Sequence, residues 1–189
     1  MVIFAIVGLV ASAYISSHRQ VDQPGIVTSP FPGTDPPDGD TAAGGQGQPV
    51  GGITCDHGEQ LAFHTHAHLY ILRDGFSQPV AANVGIPGGS LLPKCIYWLH
   101  THDRTGVIHM EAPVQRAFTL GDFFDIWGQP LSLTEVALNQ VPAGTQLAVT
   151  VDGQPFTGDP RSIPLRAHTQ VVIQLGKQVK PPSFDFGSL

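Results

Sequence analysis

The sequence predicts an all-β fold: a small β-sandwich or barrel-like domain of two related β units with one short helix. Three observations predict it. Glycine and proline are abundant, at 22 and 17 of 189 residues, which suits short strands joined by turns better than a helical bundle. Two Asp-Gly pairs, Asp74-Gly75 and Asp152-Gly153, follow runs of apolar, β-favouring residues and mark hairpin turns. The histidines of the first half alternate with other residues, which is the side-chain period of a strand.

Length suits one ordinary domain with appendages. Residues 2–15 are apolar or small and form an expected N-terminal apolar helix, placed at 1–17. Two readings of it are open. As a signal peptide it offers an apolar core and Ala11-Ser12-Ala13 as a cleavage pattern, but no basic residue precedes it. As a membrane anchor it is short, since a spanning helix needs about 20 residues. Both readings point to export. Residues 18–52 read as a flexible, disordered Pro/Gly-rich linker, and a spacer of that kind favours a retained anchor. The folded, histidine-rich β domain is expected over 53–180, with a C-terminal tail at 181–189.

Inside the domain, Leu69-Tyr70-Ile71-Leu72 leads into Arg73-Asp74-Gly75 as a strand entering a turn, and 79–84 is expected as the returning strand. Residues 95–102 read as one strand with Ile96, Trp98, His100 and His102 on one face. Residues 105–111 read as another, after the Asp103-Arg104-Thr105-Gly106 turn. Thr119 is a suitable N-cap for a helix whose Leu120, Phe123, Phe124 and Trp127 form an apolar stripe ending at Gly128. That stripe reads as core. The second Asp-Gly hairpin, with His168 before an alternating Val171-Val172-Ile173 run, repeats the pattern of the first.

Charged residues make up 13% of the chain and the net charge is −6, with nine scattered Lys and Arg and no basic patch, which argues against a nucleic-acid partner. Cys55 and Cys95 are the only cysteines. In an oxidising compartment they pair and close a loop of about 40 residues. The competing reading makes them thiolate metal ligands, although no C-x-x-C is present.

Seven of the nine histidines lie between His57 and His109. The runs His64-Thr65-His66-Ala67-His68 and His100-Thr101-His102, followed by His109-Met110-Glu111, would project imidazoles from strand faces. Neighbouring strands lie about 4.8 Å apart and same-face residues on one strand about 6.5–7 Å apart, so imidazoles from two strands can meet on one ion. Neutral imidazole suits zinc and copper(II). The expected metal ligands are His64, His66, His68, His100, His102 and His109. Asp103 and Glu111 are candidates as ligands or as holders of a ligand's second ring nitrogen. Glu111 is also a candidate base for a metal-bound water. His18, His57 and His168 read as surface residues. A pH-sensing cluster is the alternative to a metal site, since crowded imidazoles resist protonating together.

The run His64-x-His66-x-His68-Leu69, with Trp98-Leu99-His100-Thr101-His102-Asp103 and Gly106-Val107-Ile108-His109-Met110-Glu111, resembles motifs of a group of uncharacterised bacterial exported proteins. The resemblance covers roughly residues 53–176 and includes 118–128. It implies export and a deliberate histidine pattern, and it carries no activity. The cupin pattern fails, because Tyr70, Ile71, Leu72 and Arg73 fill the interval after His68 where a Glu belongs. A blue-copper site fails as well, because Cys95 precedes His100 in the wrong arrangement.

The leading functional expectation is therefore an exported, membrane-tethered domain outside the cytoplasm that binds zinc or copper(II). A metal-dependent hydrolase or oxidoreductase with Glu111 as base, and a structural or adhesive surface domain, are the alternatives.

Overall fold

A computed structural model describes residues 27–28, 39, 42–187 and 189 of the chain. The expected helix at 1–17, His18 and most of the expected linker lie outside the described residues. Among the described residues no helix is long and apolar enough to cross a membrane.

Eight strands form one mixed sheet: β1 (Val27–Thr28), β2 (Phe63–Arg73), β3 (Phe76–Gln78), β4 (Leu99–His100), β5 (Val107–Ala112), β6 (Ala148–Val151), β7 (Gln154–Phe156) and β8 (Gln170–Leu175). Their order is β1-β3-β2-β8-β6-β7, with β5 pairing β2 and β4 pairing β5. The fold is all-β, with one α-helix among the described residues, α1 (Leu120–Trp127), and a 3-10 turn at Pro160–Ser162.

The barrel-like expectation is corrected, because the sheet is open. β7 is three residues long and contains Pro155, which has no N–H to offer a further strand. Three two-stranded ladders accompany the sheet: Cys55–Asp56 with Ile96–Tyr97, Phe118–Thr119 with Pro164–Leu165, and Glu135–Val136 with Asn139–Gln140.

Both Asp-Gly turns form as expected. Asp74 and Gly75 have φ of 53° and 86°, and Asp152 and Gly153 have 51° and 76°. Positive φ at both central residues is the type I′ geometry that matches strand twist. The return strand starts at once, at Phe76, so the strand expected at 79–84 is not there. Pro79 lacks the N–H needed to prolong β3. β8 joins the two hairpins by running antiparallel to β6 and parallel to β2.

Residues 95–102 are not one strand. Ile96–Tyr97 pairs with Cys55–Asp56, and Leu99–His100 pairs with β5. Trp98 switches the chain between ladders: its Nε1 donates to Asp56 Oδ2 at 2.8 Å and its carbonyl accepts from Glu111 N at 2.8 Å. His102 therefore lies past the strand end.

Residues 42–52, assigned to the linker by composition, pack against the fold. Gly45 N donates to Ile126 O at the end of α1, and Val50 and Ile53 bridge each other. The buried Tyr97 explains this placement, since its hydroxyl accepts from Gly47 N at 3.0 Å and donates to Gln48 O. A buried phenol needs such partners.

α1 begins with the Thr119 cap read from sequence. Thr119 Oγ1 accepts from Asp122 N, the Asp122 carboxylate accepts from Thr119 N, and Gly128 closes the helix at φ 71°. Its Leu120, Phe123, Phe124 and Trp127 are fully buried with Ala67, Leu69 and Ile71 of β2 and Ile108 and Met110 of β5. Each such side chain contributes roughly 1.5–3 kcal/mol of burial. The core thus takes the odd-numbered face of β2 and leaves its even-numbered face, with His64, His66 and His68, for other work.

Cys55 and Cys95 form a disulfide across the base of the short ladder that leads into β4. Their separation of 40 residues predicts that replacing both by Ser lowers unfolding free energy by about 4 kcal/mol in the chain-entropy model. Denaturant unfolding of the oxidised protein and the double variant measures the difference.

Candidate metal centre

Register brings the histidines together. In the antiparallel pairing of β2 with β5, His64 faces Glu111, His66 faces His109 and His68 faces Val107. β4 then sets His100 against His109. Side chains of directly paired residues share a face of the sheet, so His66, His109 and His100 form one row across three strands. Gly85 holds the end of that row. At φ 72° it lets its loop approach β4 so closely that a Cβ would stand 2.4 Å from Leu99 O and 3.2 Å from His100 Cβ.

The donor atoms converge. His64 Nε2 lies 3.2 Å from His66 Nε2, which lies 3.2 Å from His109 Nδ1. Glu111 Oε1 is 3.3 Å from both His64 Nε2 and His109 Nδ1. Beside this group, His100 Nε2 and His102 Nε2 are 3.3 Å apart. Ligand atoms about 2.0–2.1 Å from a tetrahedral zinc stand about 3.3–3.4 Å from one another. The separations between neighbouring donors match that spacing, although the Glu111 carboxylate is not within 4.8 Å of all three of His64, His66 and His109. Among the described residues three sets of donor atoms lie within 4.8 Å of one another: His64, His66, His109; His100, His102, His109; and Glu59, His100, Glu111.

The tautomer of His100 is fixed. Its Nδ1 lies 3.0 Å from Tyr97 O, and a carbonyl can only accept, so Nδ1 carries the proton. Nε2 then presents its lone pair to the cluster, which is the arrangement metal-ligating histidines adopt. His100 is fully buried, whereas the side chains of His64 and His102 are 42% and 40% exposed. The cluster has a closed floor and an open rim.

His68 is different. Its Nε2 donates to Thr105 O at 2.8 Å, and its ring stacks on Phe184 with centroids 3.8 Å apart. Gly106, at φ 90°, permits this approach, since a Cβ there would meet Leu69 O at 2.3 Å. His68 thus belongs to none of the three donor sets. Asp103 also stands apart, with its Oδ1 accepting from Thr105 N at 2.9 Å to cap the turn. His57 is exposed, and His168 is exposed and stacked on Phe186. Glu59, which sequence reasoning missed, approaches His102 Nε2 at 3.3 Å. It has no periodic relation to the histidines, so no pattern in the sequence marks it.

Burial, then the proximity of His109 and His64, pushes His66 down to about 4. Burial and then His109 push His100 down to about 3, and burial pushes His68 to about 4 against its Thr105 hydrogen bond. Burial and then His109 also lower His102. For Glu111 burial works upward, but the hydrogen bond with His109 and the imidazoles of His100, His109 and His64 outweigh it and hold the carboxyl below its usual range. At neutral pH the buried His66 and His100 are thereby neutral imidazoles and Glu111 is a carboxylate, the protonation states that metal binding requires of such ligands.

Compared with known proteins, the chain matches no family model, no curated protein and no solved structure.

The lowered histidine values fix the sign of a pH effect. Below the ordinary value of 6.5 the unfolded chain takes up protons that folded His66, His68 and His100 refuse down to about 3–4. Their contribution to stability is complete above 6.5 and is lost as pH falls through that window. Thermal unfolding in chelator should show a melting temperature that drops between pH 7 and pH 4.5. A flat profile would contradict buried neutral histidines.

Proposed function

We propose that this is an exported metal-binding domain that holds zinc or copper(II) through its clustered histidines. One observation carries the reading: His64 Nε2, His66 Nε2, His109 Nδ1 and Glu111 Oε1 form a closed ring of donors with successive separations of 3.2, 3.2, 3.3 and 3.3 Å. Three imidazoles and one carboxylate are a donor set for zinc or copper(II), and no thiolate is available because both cysteines are in the disulfide. Glu111 acts as a ligand. The disulfide supports an oxidising compartment outside the cytoplasm, and the apolar 2–15 segment supports export with membrane tethering.

Metal analysis and isothermal titration of the purified full chain test the reading with zinc and with copper(II). Stoichiometric uptake is expected. His66→Ala combined with His109→Ala should weaken binding by more than 100-fold, beyond the ~10–100-fold that partners of ligands contribute. His64→Ala, at a half-exposed rim position that the fold does not need, should also weaken it, and His57→Ala should not. Absence of uptake, or equal affinity in the His64→Ala protein, overturns the proposal.

A further inference from the structure

The ring of four donors leaves a second group of polar atoms unexplained. Glu111 Oε2 is buried with no hydrogen-bond partner among the described residues. It faces His100 Nε2 at 4.0 Å. The Tyr97 carbonyl holds the His100 proton on Nδ1, so both facing atoms are acceptors. Two buried acceptors set opposite each other carry an unmet desolvation cost. A cation between them removes it, and two bonds of about 2.0–2.2 Å span the gap.

Further donors lie beside His100. His102 Nε2 is 3.3 Å from His100 Nε2 and 3.3 Å from Glu59 Oε1. Donor atoms of Glu59, His100 and Glu111 lie within 4.8 Å of one another. None of His100, His102 and Glu59 belongs to the first ring. The His109 imidazole stands between the two groups, with its centroid 4.5 Å from that of His66 on one side and 4.5 Å from that of His102 on the other.

We propose that the centre takes two divalent transition-metal ions bridged by the Glu111 carboxylate. Oε1 completes the first site with His64, His66 and His109, and Oε2 completes the second with His100, His102 and Glu59. This rests on the metal-binding reading of the same cluster and adds a second ion to it. His64, His102 and Glu59, whose side chains are 42%, 40% and 39% exposed, form the rim through which ions enter. Solvent access there leaves room for a water or a small anion on either ion.

Zinc titration of the full chain, with metal content measured after desalting, tests the number. Two zinc ions per chain are expected for the native protein, and one for the protein carrying Glu59→Gln and His102→Ala, both at exposed positions. One ion in each overturns the second site while leaving metal binding by the first ring intact. No ion in either overturns both readings. Two ions in each would remove Glu59 and His102 from the second site and so overturn its assignment. Copper(II) tests the bridge: at two equivalents the paramagnetic spin count should fall well below the copper content, as for coupled ions. A spin count equal to copper content overturns the bridge.

Discussion

A one-residue slip of Val107–Ala112 against Phe63–Arg73 would turn His109 and Glu111 into the hydrocarbon core and swing Ile108 and Met110 onto the histidine face. The native register prevents this because both faces of the pair are specified. On one face Ala67, Leu69, Ile108 and Met110 are sealed against the aromatic side of the helix. On the other, His64 pairs with Glu111 and His66 with His109. The same hydrophobic packing that stabilises the sheet therefore sets the spacing of the donor atoms. His64, His66, His109 and Glu111 lie on strands, so the core beneath the sheet positions them.

That arrangement has an electrostatic cost. Five imidazoles and a carboxylate crowd onto one face, two of the histidines are nearly or fully buried, and Glu111 is almost completely so. Part of the cost is offset locally, by Tyr97 O on His100 and by the pairing of Glu111 with His64 and His109. The rest remains in Glu111 Oε2 and in imidazole contacts where only one nitrogen of each pair can donate. Metal ions satisfy such a set without adding protons.

Much of this was legible in the sequence, because the signals were local. The H-x-H-x-H run reads as a strand since its period is two. Asp74-Gly75 and Asp152-Gly153 read as turns since few residue pairs accept two positive φ values. Thr119 and Gly128 mark the helix because its first amides and last carbonyls need partners. The cysteine pairing was the favoured of two readings, because there are two cysteines and no C-x-x-C. What was not legible depends on distant parts of the chain. His68 leaves the donor sets because Phe184 stacks on it and Thr105 accepts its proton. Residues 42–52 pack because the buried Tyr97 hydroxyl needs partners. Glu59 meets His102 only through folding. Trp98 breaks an apolar run that looked continuous, since two separate ladders claim its two sides.

Anomalous diffraction from crystals of the zinc-loaded protein, recorded at the zinc absorption edge, tests the central claim most directly. A peak is expected among His64 Nε2, His66 Nε2, His109 Nδ1 and Glu111 Oε1, at about 2.0–2.2 Å from each once the side chains close on the ion. A zinc peak only at His57, His168 or the chain surface, with those four side chains unliganded, would contradict it.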